Sequence, residues 1–483
     1  MSKAKLLACL VGAFVSCLLA VTAQSAEETY QLKTIVPVPG GLTSFDIAFV
    51  DANINTFVLA DRTNKSIDVV NTATNTMTHQ YTASFVGIVA SPANASGPNG
   101  VIIVDQREIW ATDGPVLSNC TPSPTGLRCT GPVTTPSSIK VIDLKTGKLI
   151  ANIPNGGTRR ADELCEDVKH EVVLSANDDP ADNFLTFINT ETYSIIGSNH
   201  KLDGSDPNFQ IKLTGVTLPT HSKVAADGIE QCKFNPRTGS YYLAIPATAI
   251  TDLDKPLSDT NPSPGPGVVL KISRRAPFHI EETITIPTST GCTGPQGLAI
   301  GPRHEIQLGC GAPSTNSIII DDRSGPTATV ITTETGEGGA DEVWYNPGNN
   351  SYFIARSGAG KLGVEDAGGN ESRAPQADAD VTTAIGSHVV AADMRKNQIY
   401  VPIRSTTFPA NPPTVSTICS SKGGVDANGC IAVFTAPNDD ECLAQGMPVL
   451  DHDDGDDPVF MRTRCREHDD DDHDRDHDRE ARR

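Results

Sequence analysis

The chain has 483 residues, of which 38% are hydrophobic, 5% aromatic and 20% charged, with 41 glycines and 34 prolines. That balance can bury a core and excludes a fibrous or disordered protein. The formal net charge is −21 and no Lys/Arg cluster relieves it, so a phosphate backbone would be repelled over most of the surface and nucleic acid is excluded as a partner.

In chain order, Lys3 and Lys5 precede the apolar run Leu6 to Thr22, which ends in Ala23-Gln24-Ser25-Ala26. This is the pattern of a secretory signal peptide over 1–26, with cleavage before Glu27, an export route to the periplasm or beyond, and no membrane span in the mature chain. Cys9 and Cys17 leave with it, so ten of the twelve cysteines remain for an oxidising compartment. Their spacing suggests local pairs: Cys120 with Cys129, Cys292 with Cys310, Cys419 with Cys430, Cys442 with Cys465 and, by elimination, Cys165 with Cys232. No CxxC or zinc-ligand spacing occurs among them, which points to structural staples.

An internal repeat then runs through the chain. Six segments align on a polar residue five positions before a turn: Phe45 to Asp51, Ala161 to Asp167, Ile229 to Asn235, Pro295 to Gly301, Ala340 to Asn346 and Ser387 to Asp393. A weaker copy at Phe85 to Ser91 makes seven. Each is followed by β-branched and aromatic runs such as Thr56 to Ala60 and Ser66 to Val70, and outer strands close the repeats at Lys148 to Ile153 and Glu282 to Ile286. Four antiparallel strands repeated around an axis predict an all-β chain: a single, monomeric seven-bladed β-propeller over 27–440. The strand Tyr30 to Val36 is placed to close the ring as the outer strand of the last blade.

The stretch Val58-Leu59-Ala60-Asp61-Arg62-Thr63-Asn64-Lys65-Ser66-Ile67-Asp68-Val69-Val70-Asn71-Thr72-Ala73-Thr74 resembles the repeat of YVTN-type propellers, and Leu174 to Asp179 with Phe184 to Thr190 is a second such copy. That resemblance implies a propeller and no particular activity, since propellers host binding, scaffold and enzymatic roles.

The aligned polar column, Asp46, Asp162, Glu230, Gln296, Asp341 and His388, places mostly acidic side chains at the starts of the innermost strands, around the central channel. Oxygen-rich sets of this kind select hard cations, so Asp46, Asp162, Glu230, Gln296 and Asp341 are candidate ligands for a divalent ion, Ca²⁺ foremost. In arrangement the column is similar to the calcium propellers of the gluconolactonase and paraoxonase type, which have six blades; that similarity implies a lactonase-like hydrolase or lyase with His388 as base. The long inter-strand segments Asp113 to Pro136, Ala249 to Pro266 and Ser405 to Gly429 are expected on the same face, where a small molecule or a protein would bind.

The remainder, 441–483, is Asp/His-rich; from Asp451 onward it holds 14 acidic and 7 basic residues, cannot bury a core and is expected to be largely disordered. Three roles stay open on the sequence: an exported binding or interaction protein, a metal-dependent hydrolase or lyase, and a metal-handling protein using the Asp/His tail.

Overall fold

Runs of β-branched residues bounded by Asn- and Gly-containing turns set the local structure. In the first sheet Asn55, Lys65 and Asn75 adopt positive φ at the three reversals that join its strands. Asparagine tolerates that region better than most residues with a Cβ.

The computed structural model describes residues 30–178, 183–198, 222–224, 228–246, 248–250, 266–311, 314, 316–335, 339–367, 375–377, 380–407 and 416–436. They form a β-propeller of antiparallel sheets laid out in chain order. Ala48–Asp51, Thr56–Asp61, Ser66–Asn71 and Thr76–Tyr81 make the first sheet, and Val101–Val104, Glu108–Asp113, Ser138–Asp143 and Leu149–Pro154 the second. The third runs from Ala161–Asp167 to Ile195–Ser198, the fourth from Cys232–Asn235 to Ile280–Thr285 and the fifth from Pro295–Ile300 to Val330–Thr335. The sixth begins at Ala340–Asn346 and ends with two short strands, Gln376–Ala377 and Val381–Thr382. Ala391–Asp393, Gln398–Ile403 and Cys430–Thr435 form the last, and Gln31–Pro37 adds antiparallel to Cys430–Thr435 as its outer strand. The chain is thus closed by its N-terminal strand, as the sequence predicts. The inner strand of each sheet packs beside that of the next, and Ala391–Asp393 returns to Ala48–Asp51.

This packing explains why the middle strands read as continuous apolar runs. Each is covered on both faces: Val58, Ala60, Ile67 and Val69 of the first sheet pack on Val101, Ile103, Ile109 and Ala111 of the second. Between the third and fourth, Phe187 stacks on Phe278 at 3.7 Å and meets Tyr241 edge-on. Each such side chain contributes about 1.5–3 kcal/mol by leaving water. The outer strands, such as Thr76–Tyr81, are largely exposed.

One alignment is corrected. The inner strand of the second sheet is Val101–Val104, not the weak copy at Phe85 to Ser91. Val89–Ser91 instead pairs with Gly126–Cys129 of the long insertion, leaving the repeat position to Asn99. Four expected disulfides are present, Cys120–Cys129, Cys165–Cys232, Cys292–Cys310 and Cys419–Cys430. The fifth pairing, Cys442 with Cys465, lies outside the described residues, as do the signal peptide and the extension 441–483.

Candidate functional site at the channel mouth

Backbone pairing puts the polar column at one end of the channel. The amides of Asp46, Asn99 and Glu230 donate to Ala60, Thr112 and Ala244, the ends of the neighbouring second strands. The loops that follow second strands therefore share this mouth with the column. The Cys120–Cys129 hairpin and the loop stapled by Cys419–Cys430 leave from such positions.

The column residues do not stand alone there. Asp46 pairs with Arg62, whose guanidinium also donates to Asn99 Oδ1 from Nε at 3.0 Å and Nη2 at 2.6 Å. Arg160 Nη2 lies 2.8 Å from Asp162 Oδ2 and 3.0 Å from Asp178 Oδ2. The Arg404 guanidinium sits 5.9 Å from the centre of the Phe45 ring, whose plane is stacked on His388 at 5.0 Å. His388 Nδ1 donates to the Gly386 carbonyl at 2.9 Å and its Nε2 faces Asp46 Oδ1 at 3.5 Å. Gln296 folds back on Gly311, where a Cβ would come within 1.7 Å of its Oε1.

The charges are balanced in two ways. Burial would raise the Asp46 carboxyl, but Arg62, the His388 contact and Arg160 together hold it well below the ordinary carboxylate range. Burial likewise opposes the charge on Arg160, yet Asp162, Asp178, Asp46 and Glu230 keep it firmly protonated. Glu230 takes the other course: burial, then the fields of Asp341, Asp162 and Asp178, push it well up toward the neutral acid. Asp341 is raised by burial against the pull of His388.

Arg62 and Arg160 thus occupy the electrostatic role the sequence assigns to a cation, and neither they nor the nearby Arg404 belongs to the aligned column. Asp46 and Asp162 are engaged by guanidinium groups, so the set as arranged does not fit a calcium cage. Among the described residues, the group of three His, Cys, Asp or Glu side chains close enough to share an ion is His304, Asp321 and Asp322, away from the axis. There His304 Nδ1 is 2.8 Å from Asp322 Oδ1, and Arg323 pairs with Asp321 at 2.6 Å.

Below the mouth, side chains of the inner strands fasten adjacent sheets. Gln231 Oε1 accepts the amide of Leu298 at 2.6 Å, and Glu342 Oε2 that of Val390 at 3.4 Å. Among the described residues no helix is long and apolar enough to cross a membrane.

No family model matches the chain, and no curated protein matches it by sequence. Similar solved structures exist. A chain of the "Crystal Structure of Mitotic Checkpoint Complex" superposes with a TM-score of 0.52 at 9% identity, covering 89% of this chain and 99% of that one. The "Structure of U3-55K" gives 0.53 at 9% identity over 85% of this chain and 100% of that one. At such identity the likeness concerns architecture alone, and together with the sheets described above it makes this chain a β-propeller.

Proposed function

We propose that the protein is an exported seven-bladed propeller of the YVTN type that works as a binding platform through the mouth face. The observation carrying this reading is the set of disulfide-stapled insertions, Cys120–Cys129 and Cys419–Cys430, standing around a polar mouth on a rigid scaffold. Loops fixed in that way present a preformed surface, and fixing them beforehand lowers the entropy lost on binding. A net charge of −21 favours a protein partner with a basic face. The four disulfides fit an oxidising compartment.

Photocrosslinking residues placed at Arg128 and Val425 on the mouth face, and at Asn53 on the opposite end, test this in the producing cell. Protein adducts from the first two positions and none from Asn53 are expected. Adducts from Asn53 alone, or from no position, overturn it. A calcium titration of the purified protein decides the axial cation: one ion per chain, lost in Asp46→Asn and Asp341→Asn, would restore the metal reading. Absence of binding leaves the arginines as the counter-charges.

A further inference from the structure

The end of the channel away from the mouth opens into a cavity of about 790 Å³, to which all the sheets contribute. That volume lies within the range of small-molecule sites. Its walls include Phe49, Ile300, Trp344 and Met394, with Phe49 and Trp344 meeting edge-on at 5.7 Å. Into it projects Lys233, whose Nζ stands 5.5 Å from the centre of the Trp344 ring.

The polar groups around this lysine differ in what they have left to offer. Asp51 Oδ1 accepts the amide of Asn53 at 2.9 Å, and Asp105 pairs with Arg107 at 3.1 Å. Burial, Asp105 and Asp167 push Glu166 up to about 8, so at neutral pH it is largely an O–H donor. Deeper on the axis, Glu163 and Glu342 feel the lysine, but burial with the fields of Glu342 and Asp162 drives Glu163, and burial with the fields of Asp341 and Asp46 drives Glu342, toward the neutral acid. Among the described residues no carboxylate comes within ion-pair distance of the Lys233 ammonium and no acceptor hydrogen-bonds it. An aromatic-walled cavity with one ammonium lacking an acceptor, beside a neutral acid, complements a flat ring carrying one negative charge.

We propose that this cavity binds a small aromatic monoanion, its ring against Phe49 and Trp344 and its carboxylate or sulfonate on Lys233. The site is separate from the mouth face, so neither proposal depends on the other.

The probe is 8-anilinonaphthalene-1-sulfonate, titrated into the purified protein while the emission of the dye and the quenching of Trp344 are followed. The second tryptophan, Trp110, is fully buried in the second sheet and serves as an internal reference. Saturable binding at one site is expected, about tenfold weaker in Lys233→Met through loss of one charge-assisted contact and retained in Lys233→Arg. Neutral N-phenyl-1-naphthylamine should bind the wild type and Lys233→Met alike. In the unmodified protein naphthalene-1-sulfonate should displace the dye and 1-naphthylmethylammonium should not. Equal affinity of the sulfonate dye for wild type and Lys233→Met, no saturable binding to wild type, or preferential displacement by the ammonium compound overturns the proposal, the last two independently of how any variant folds.

Discussion

The imidazole of His388 lies stacked on Phe45 with its Nε2 3.5 Å from Asp46 Oδ1, while Arg62 takes the other oxygen of the same carboxylate. Asp46 is therefore the point where the first and last sheets share charge across the closure of the ring. Asp46→Asn should leave the buried Arg62 with neutral amide oxygens in place of its paired carboxylate, at a cost of about 3–5 kcal/mol in chemical denaturation. The pH dependence carries its own sign. A depressed carboxyl stabilises fully above its unfolded value of about 3.9, and that contribution is lost as pH falls toward the lower folded value. Acidification below about pH 4 should therefore destabilise the wild type more steeply than Asp46→Asn. Parallel acid limbs in the two proteins would show that the pair contributes nothing.

The Cys165–Cys232 bridge joins the inner strands of the third and fourth sheets and closes a loop of sequence separation 67. In the chain-entropy account a loop of that length restrains the unfolded state by about 4 kcal/mol. The double substitution Cys165→Ser with Cys232→Ser should lower unfolding stability by that order. The hairpin bridge Cys120–Cys129, with separation 9, should matter less to the whole fold because its strands lie in an insertion. Equal losses from the two double variants, measured by denaturant midpoint at constant slope, would contradict this ordering.

How far the fold was legible follows from where burial is two-sided. Strands such as Ser66–Asn71 and Cys430–Thr435 are covered on both faces and announce themselves as apolar runs. The closing strand followed from the repeat, and four cysteine pairs from their spacing, Cys165 with Cys232 by elimination. Asn99 was missed because Phe85 to Ser91 imitates the repeat, and because the turn residue Asp105 stands six positions after Asn99 where the other copies have five, although Asn99-Gly100 leads into Val101–Val104 as Asp46-Ile47 leads into Ala48–Asp51. The arginines were missed because Arg62 and Arg404 follow second strands and Arg160 precedes a first strand, outside the aligned positions. Aligning the residue after each second strand brings out Arg62, Asp178 and Arg404 together. The cavity at the far end was hidden for another reason. Register shifts between Ala340 and Val343, and between Pro295 and Gly297, break the strict alternation that would tell channel-facing from blade-facing residues.

At Gly297 the fifth and sixth sheets approach so closely that a Cβ would lie 1.9 Å from the carbonyl oxygen of Asp341. That neighbour is backbone and cannot swing aside. Gly297→Ala should push the inner strand of the sixth sheet outward, costing about 1–3 kcal/mol or more and displacing Asp341 from the mouth. Gly325, with nothing within 4 Å of such a Cβ, is the matched control, and Gly325→Ala should leave the melting temperature nearly unchanged. Equal melting shifts for the two variants would remove close sheet contact as the reason for glycine at 297.

Several buried glutamates should make the protein more stable in mild acid than in mild base. Burial raises Glu166 and Glu365 to about 8 and Glu305 to about 7, against an ordinary value near 4.3. Between those limits the folded state binds more protons than the unfolded state. Stability is then greatest below the unfolded value and falls as pH rises through the folded one. The melting temperature should decline from about pH 5 to about pH 9, and Glu166→Gln, which removes one titrating group, should make that decline shallower. Because Glu166 lines the far cavity, filling the cavity with a ligand anion that accepts its proton in a hydrogen bond should hold the acid form to higher pH. The melting difference between wild type and Glu166→Gln at about pH 8 should shrink in the presence of saturating naphthalene-1-sulfonate, and a difference that stays constant would separate Glu166 from the cavity's ligand.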